Sequence, residues 1–195
     1  MEYSNSTILK QFAEEVNGKF IERSYHNSAK ATLKHLDWNV TFDNYTEYKT
    51  AGGKTFEQIY ARVVSPIKSN DNFRFEIYRK NILSSIAKIF GAQDVEIGNP
   101  EFDKKFIIKT NNEFKLKAFL RNKDLRVHIE NYDKINLQIS DREGIWGPKL
   151  AVKEFELSFF IEEPINDIQK LKSIYSLFIE MLKQLKEINS KQASG

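Results

Sequence analysis

From Ile168 to Ile188 apolar side chains return every three or four residues: Ile168, Leu171, Ile174, Tyr175, Phe178, Met181, Leu182, Leu185 and Ile188. That spacing predicts a helix of about six turns with one continuous apolar stripe. Asn166, with Gln169 three residues on, resembles a capping box just after Pro164. Burying each such side chain stabilises a fold by about 1.5–3 kcal/mol, so a stripe this long needs an apolar surface to cover. A sheet is the expected surface; a partner-binding or dimer helix is the functional alternative.

The rest of the chain supplies strands. Leu36, Trp38, Val40 and Phe42 alternate with Asp37, Asn39, Thr41 and Asp43, which predicts a half-solvated strand. Ala51-Gly52-Gly53-Lys54 then offers positive φ, and Thr55 to Val64 returns as the second arm of a β-hairpin. Phe73, Phe75 and Ile77 alternate with Arg74, Glu76 and Tyr78 as a third strand, so these three read as an antiparallel sheet with one wet face. Phe106–Ile108, Ile135–Ile139 and Phe155–Ile161 read as three more. Between them lie helical patterns. Ile8 to Val16 ends at Asn17-Gly18, residues 82–90 end at Gly91, and Asn112 caps a run through Leu120. Residues 123–131 are ambiguous between helix and strand.

Composition fixes the class. A chain of 195 residues with 41% hydrophobic and 29% charged residues has the make-up of one ordinary globular domain, here 1–195. The absence of cysteine excludes disulfides, thiolate metal sites and cysteine nucleophiles. A formal net charge of +3 is no polyanion-binding asymmetry. No apolar run approaches the roughly 20 residues of a membrane span, and the polar start MEYSNST has no signal core, so a soluble, cytoplasmic protein is expected.

One stretch reads as a signature. Gly98-Asn99-Pro100-Glu101-Phe102-Asp103 sets two carboxylates around an aromatic, immediately before Lys104 and Lys105. Paired acids can hold a cation or divide into acid and base, but Ca2+ takes about six to eight oxygens and catalytic carboxylates need a pocket. A corner accounts for more of the residues. Gly98 takes positive φ, Pro100 keeps Asn99 extended, Phe102 plugs the core and Asp103 binds nearby amides.

The run FRFEIYRKNILSSIAKIFGAQDVEIGNPEFDKKFIIK, residues 73–109, resembles the central part of a family of bacterial proteins without an assigned activity. In that family an F-x-I-Y strand, a short helix and an I-G-D-P-E-F-D-x-x-F box follow in this order; Asn99 stands here where the pattern has Asp. The resemblance extends loosely over residues 30–190. Members often carry membrane-spanning helices outside the soluble domain, so it implies possible peripheral membrane association.

Other motifs carry less. His26, His35 and His128 lack the spacing of a zinc site, and Gly52-Gly53-Lys54-Thr55 lacks the first glycine of a phosphate loop. Lys115, Lys117, Arg74, Arg79 and Lys80 read as solvated charge rather than a nucleic-acid surface. Trp146, between Gly144 and Gly147, is the best candidate for an exposed binding aromatic, against a Trp folded onto the sheet edge.

The sequence therefore predicts an α+β domain: an antiparallel or mixed sheet of about six strands, helices on one face, and the C-terminal helix as main cover. The expected function is a non-enzymatic binding or scaffold module for a protein or apolar ligand, without cofactor, metal or nucleic acid. The alternative is a small-molecule hydrolase or metal-dependent enzyme using Glu101 and Asp103. Gly98, Pro100, Glu101, Phe102, Asp103 and Trp146 are the candidate binding or structural residues.

Overall fold

The computed structural model describes residues 2–22, 28–80, 93–144, 147–163 and 165–193. In chain order the elements are α1 (Glu2–Glu15), β1 (Lys19–Ile21), β2 (Lys30–His35), β3 (Trp38–Ala51), β4 (Lys54–Lys68), β5 (Phe75–Arg79) and β6 (Gln93–Asp94). There follow α2 (Pro100–Lys105), β7 (Phe106–Thr110), α3 (Glu113–Phe119), α4 (Lys123–Glu130), β8 (Ile135–Ser140), β9 (Glu154–Ile161) and α5 (Ile168–Ala193). The strands form one sheet in the order β1-β2-β3-β4-β9-β8-β5-β7-β6, and each pairing is antiparallel.

Register explains the core. Phe42, Val63, Phe159, Leu137, Ile77 and Ile108 stand directly opposite one another across six strands. This row and its neighbours two residues away form the core face, which joins Phe12 of α1, Phe102 of α2, Phe119 of α3, Leu125 of α4 and Phe178 of α5 in one apolar cluster. The helix α5 is the common cover, touching α1, α3 and α4 as well. Tyr175 adds edge-on ring contact to Phe12 at 6.4 Å.

Several expectations are corrected. Among the described residues the sheet has nine strands rather than about six; the additional ones are β2 and the short β1 and β6 at its edges. Leu36 is not a strand residue but the turn between β2 and β3, at φ 52 and largely exposed. The third strand does not neighbour the second: β5 lies between β8 and β7, and β4 pairs with β9. Nor is β5 half-wet. Four of the five residues of β5 and all six of β8 are buried, because polar alternation fixes which face a residue takes but not whether that face meets water. Residues 123–131 contribute α4, capped by Asn122, whose side chain accepts from Asp124 N at 2.9 Å. The cap of α5 is Asp167, one residue beyond Asn166; its carboxylate accepts from Gln169 N at 2.7 Å. The helix expected over 82–90 lies outside the described residues.

Candidate functional site

The signature box folds as a capped corner. Gly98 sits at φ 82, a conformation that excludes a strain-free side chain. Asn99 is extended, at φ −115 and ψ 101, and caps α2 by accepting from Phe102 N at 3.1 Å, with Pro100 in the first turn. Asp103 reaches back over the turn: one oxygen accepts from Ile97 N at 2.9 Å, the other from Gly98 N at 3.0 Å and Asn99 N at 2.9 Å. Phe102 has no exposed surface and stacks on Phe106, ring centroids 4.4 Å apart. Behind Phe106 lies the Arg79 guanidinium, 4.6 Å from the ring centroid, donating to Tyr132 O at 3.1 Å and Glu130 O at 2.5 Å. Glu101 points outward, exposed. The two acids thus do not converge, since both oxygens of Asp103 are already committed to backbone amides.

Trp146 and His26 lie outside the described residues. His35 stacks on Trp38 at 6.2 Å on the β2–β3 hairpin, and His128 lies in α4. Among the described residues no group of three or more His, Cys, Asp or Glu is placed to hold a metal ion. Lys115 corrects the reading of solvated charge. It is buried, pairs with Asp71, donates to Asn189 Oδ1 at 2.9 Å and lies 5.6 Å from the Phe73 ring centroid. Burial raises the Asp71 carboxyl, but bonds from Lys115 and Ser69 outweigh it and hold it below its ordinary value.

Two arrangements escaped the sequence. The first is a polar band on the second face of the sheet. Glu76, Gln138 and Ser158 stand in one cross-strand row, with Asn136, Phe160 and Arg62 in the next. Glu76 and Gln138 have no exposed surface. Asn136 Nδ2 donates to Glu76 Oε1 at 2.6 Å, whereas Glu76 Oε2 and both amide atoms of Gln138 have no hydrogen-bond partner among the described residues. Burial pushes the Glu76 carboxyl up to about 7, against the opposing donation from Asn136 and the charge of Lys109. Burial also raises Glu156, although Ser158 donates to it at 2.7 Å and Arg62 lies nearby. Arg62 itself is clamped by Asp43 at 2.8 and 2.6 Å. The missing signal was register: only the pairing of β5 with β8 sets Glu76 against Gln138.

The second is a two-stranded ribbon. The strand β2 stops opposite Asp43 and β9 stops opposite Ala61, so beyond those points β3 and β4 pair only with each other among the described residues. Gly52 and Gly53, at φ 58 and 75, make the turn at its tip. Its root is packed, with Tyr45 edge-on to Phe160 at 5.6 Å and Tyr60 to Phe160 at 6.3 Å. Towards the tip Tyr48, Phe56 and Ile59 are 66, 54 and 40% exposed. Their alternation is the same whether the strands lie within the sheet or beyond it, and only the ends of β2 and β9 tell the two apart.

Comparison with protein-family models, curated proteins and solved structures finds no match. Among the described residues no helix is long and apolar enough to cross a membrane.

Proposed function

We propose that the chain is a protein-binding module and that the β3–β4 ribbon is its working surface. The observation that carries this reading is the pairing: beyond Asp43 and Ala61 the two strands of the ribbon pair only with each other among the described residues, and the ribbon displays Tyr48, Phe56 and Ile59. An isolated two-stranded hairpin is marginal in water, and exposed aromatics beside an open edge are what strand-addition partners use. What weighs against routing chemistry through Glu101 and Asp103 is the commitment of both Asp103 oxygens to the turn amides.

Site-specific photo-crosslinking in the native cell tests this. A photoreactive residue at position 48 or 56 is expected to give discrete adducts with a protein chain, and one at Val152, which is exposed outside the ribbon, is not. Adducts of equal yield at all three positions, or none, would overturn the reading.

A further inference from the structure

On the second face of the sheet, Glu76 and Asn136 share one hydrogen bond and leave two atoms over. The register sets Tyr78 of β5 opposite Asn136 of β8, so Glu76, two residues earlier, meets Asn136 on the diagonal, a span that a long side chain closes. Asn136 Nδ2 donates to Glu76 Oε1 at 2.6 Å. The remaining atoms of the same two groups, Glu76 Oε2 and Asn136 Oδ1, are both buried and both without a hydrogen-bond partner among the described residues. While Glu76 is ionised both are acceptors, and neither can satisfy the other. A proton on Oε2 makes it a donor, and a single bond to Oδ1 then removes both orphans.

We infer that Glu76 is a carboxylic acid in the folded protein, that its proton bridges Oε2 to Asn136 Oδ1, and that the two-bond ring so formed is a clasp between β5 and β8 that opens when the proton leaves. The reading is independent of the ribbon. An acid and a carboxamide carry matching donors and acceptors, so once one bond of the ring is in place the second needs only the proton. The surroundings favour the neutral form. Tyr78 and Phe160 are buried on the same face, and β8 presents to Glu76 only the uncharged Asn136 and Gln138. Lys109 of β7 stands opposite Glu76, Asp94 of β6 stands opposite Lys109, and Glu156 of β9 lies one row on, near Arg62 of β4. Burial outweighs the Asn136 bond and the Lys109 charge and raises the Glu76 carboxyl to about 7. Gln138, directly opposite Glu76, stands outside the ring. As pH rises through neutrality Oε2 gives its proton to water, the bond to Oδ1 is lost, and the carboxylate keeps only the donation from Nδ2. The seam involved is the one through which β5, β7 and β6 join the rest of the sheet.

Carbon-13 NMR of the carboxyl and carboxamide carbons of the full chain locates the proton. At pH 6, where an ordinary glutamate is ionised, Glu76 is expected to give the shift of a protonated acid. On raising the pH, Glu76 and the Asn136 side-chain amide are expected to move together through one midpoint at about 7. A Glu76 carboxyl already ionised at pH 6 overturns the inference, as does an Asn136 amide that stays still while that of Gln138 moves, which would put the proton on Gln138. This arm needs no variant. Amide hydrogen exchange reads the clasp itself. In the wild type the protection of β5 and β8, corrected for the intrinsic dependence of exchange on pH, is expected to fall about tenfold between pH 6 and pH 8. In Glu76→Gln the new amide offers Asn136 the same donor and acceptor at every pH, and the fall is expected to vanish. A fall of equal size in both proteins overturns the clasp.

Discussion

Asp103 and Phe102 divide the work of the corner: one carboxylate satisfies three amides that the turn leaves without a helical partner, and one ring fills the space beneath them. Phe102→Ala should cost about 3–5 kcal/mol as a large-to-small change in a packed core. Asp103→Asn should cost about 1–3 kcal/mol, because an amide nitrogen would face backbone donors in place of an anionic oxygen. Glu101→Gln, at an exposed position, should leave stability within about 0.5 kcal/mol. Urea denaturation of the three variants reads all of this, and a tolerant Phe102→Ala beside a costly Glu101→Gln would contradict it. Glu76 makes a prediction in pH. Its carboxyl titrates near 7 in the folded chain and near 4.5 when free, so between those values the folded state keeps a proton that the unfolded state has lost. Stability therefore falls as pH rises through that window, by up to about 3 kcal/mol from this residue, with Glu156 adding in the same direction. Glu76→Gln should flatten the dependence of the urea midpoint between pH 5 and 8 and raise stability at pH 8. A slope unchanged by the substitution would remove Glu76 as its source.

At the scale of elements, α5 lies against three other helices and the core face of the sheet, so removing it uncovers apolar surface that no other described element covers. Truncation before Asn166 should yield aggregated or unfolded chain by gel filtration and circular dichroism; a folded, monodisperse product would contradict the role of α5 as cover. This helix was legible in the sequence because its period is local and long. The same holds for the β3–β4 turn, where two glycines announce positive φ, and for the corner at Gly98, where glycine, proline and a capping asparagine each restrict the backbone. What escaped reading depends on residues far apart in sequence. The length of β4 beyond Val64, through Pro66 to Lys68, depends on β9 supplying a partner. The burial of Glu76 depends on β8 lying beside β5. In β8, Asn136 and Gln138 look like wet residues because the alternation is correct and the environment is not encoded in it. The ribbon was hidden for the converse reason: its strands are regular, and only the ending of β2 and β9 makes them project.

Across the whole molecule, β9 is the joint. It pairs with β4 on one side and β8 on the other, connecting the N-terminal strands β1–β4 to the block β8-β5-β7-β6. Because both blocks share one apolar cluster through this strand, they should unfold together. In a Trp146→Phe variant, Trp38 fluorescence, which then reports the N-terminal block, and far-ultraviolet circular dichroism, which reports all of it, should give coincident urea transitions; separated midpoints would show that the joint does not transmit cohesion. The remote pairings also predict refolding in milliseconds to seconds rather than microseconds, measurable by stopped flow. The position of β9 has a further consequence for a chain made from its N-terminus on a ribosome. Strands β1 to β4 can assemble as soon as they emerge, but the free side of β4 and one side of β8 have no partner until Glu154–Ile161 has left the exit tunnel. Until that strand emerges, the nascent chain holds the two blocks of its sheet unjoined.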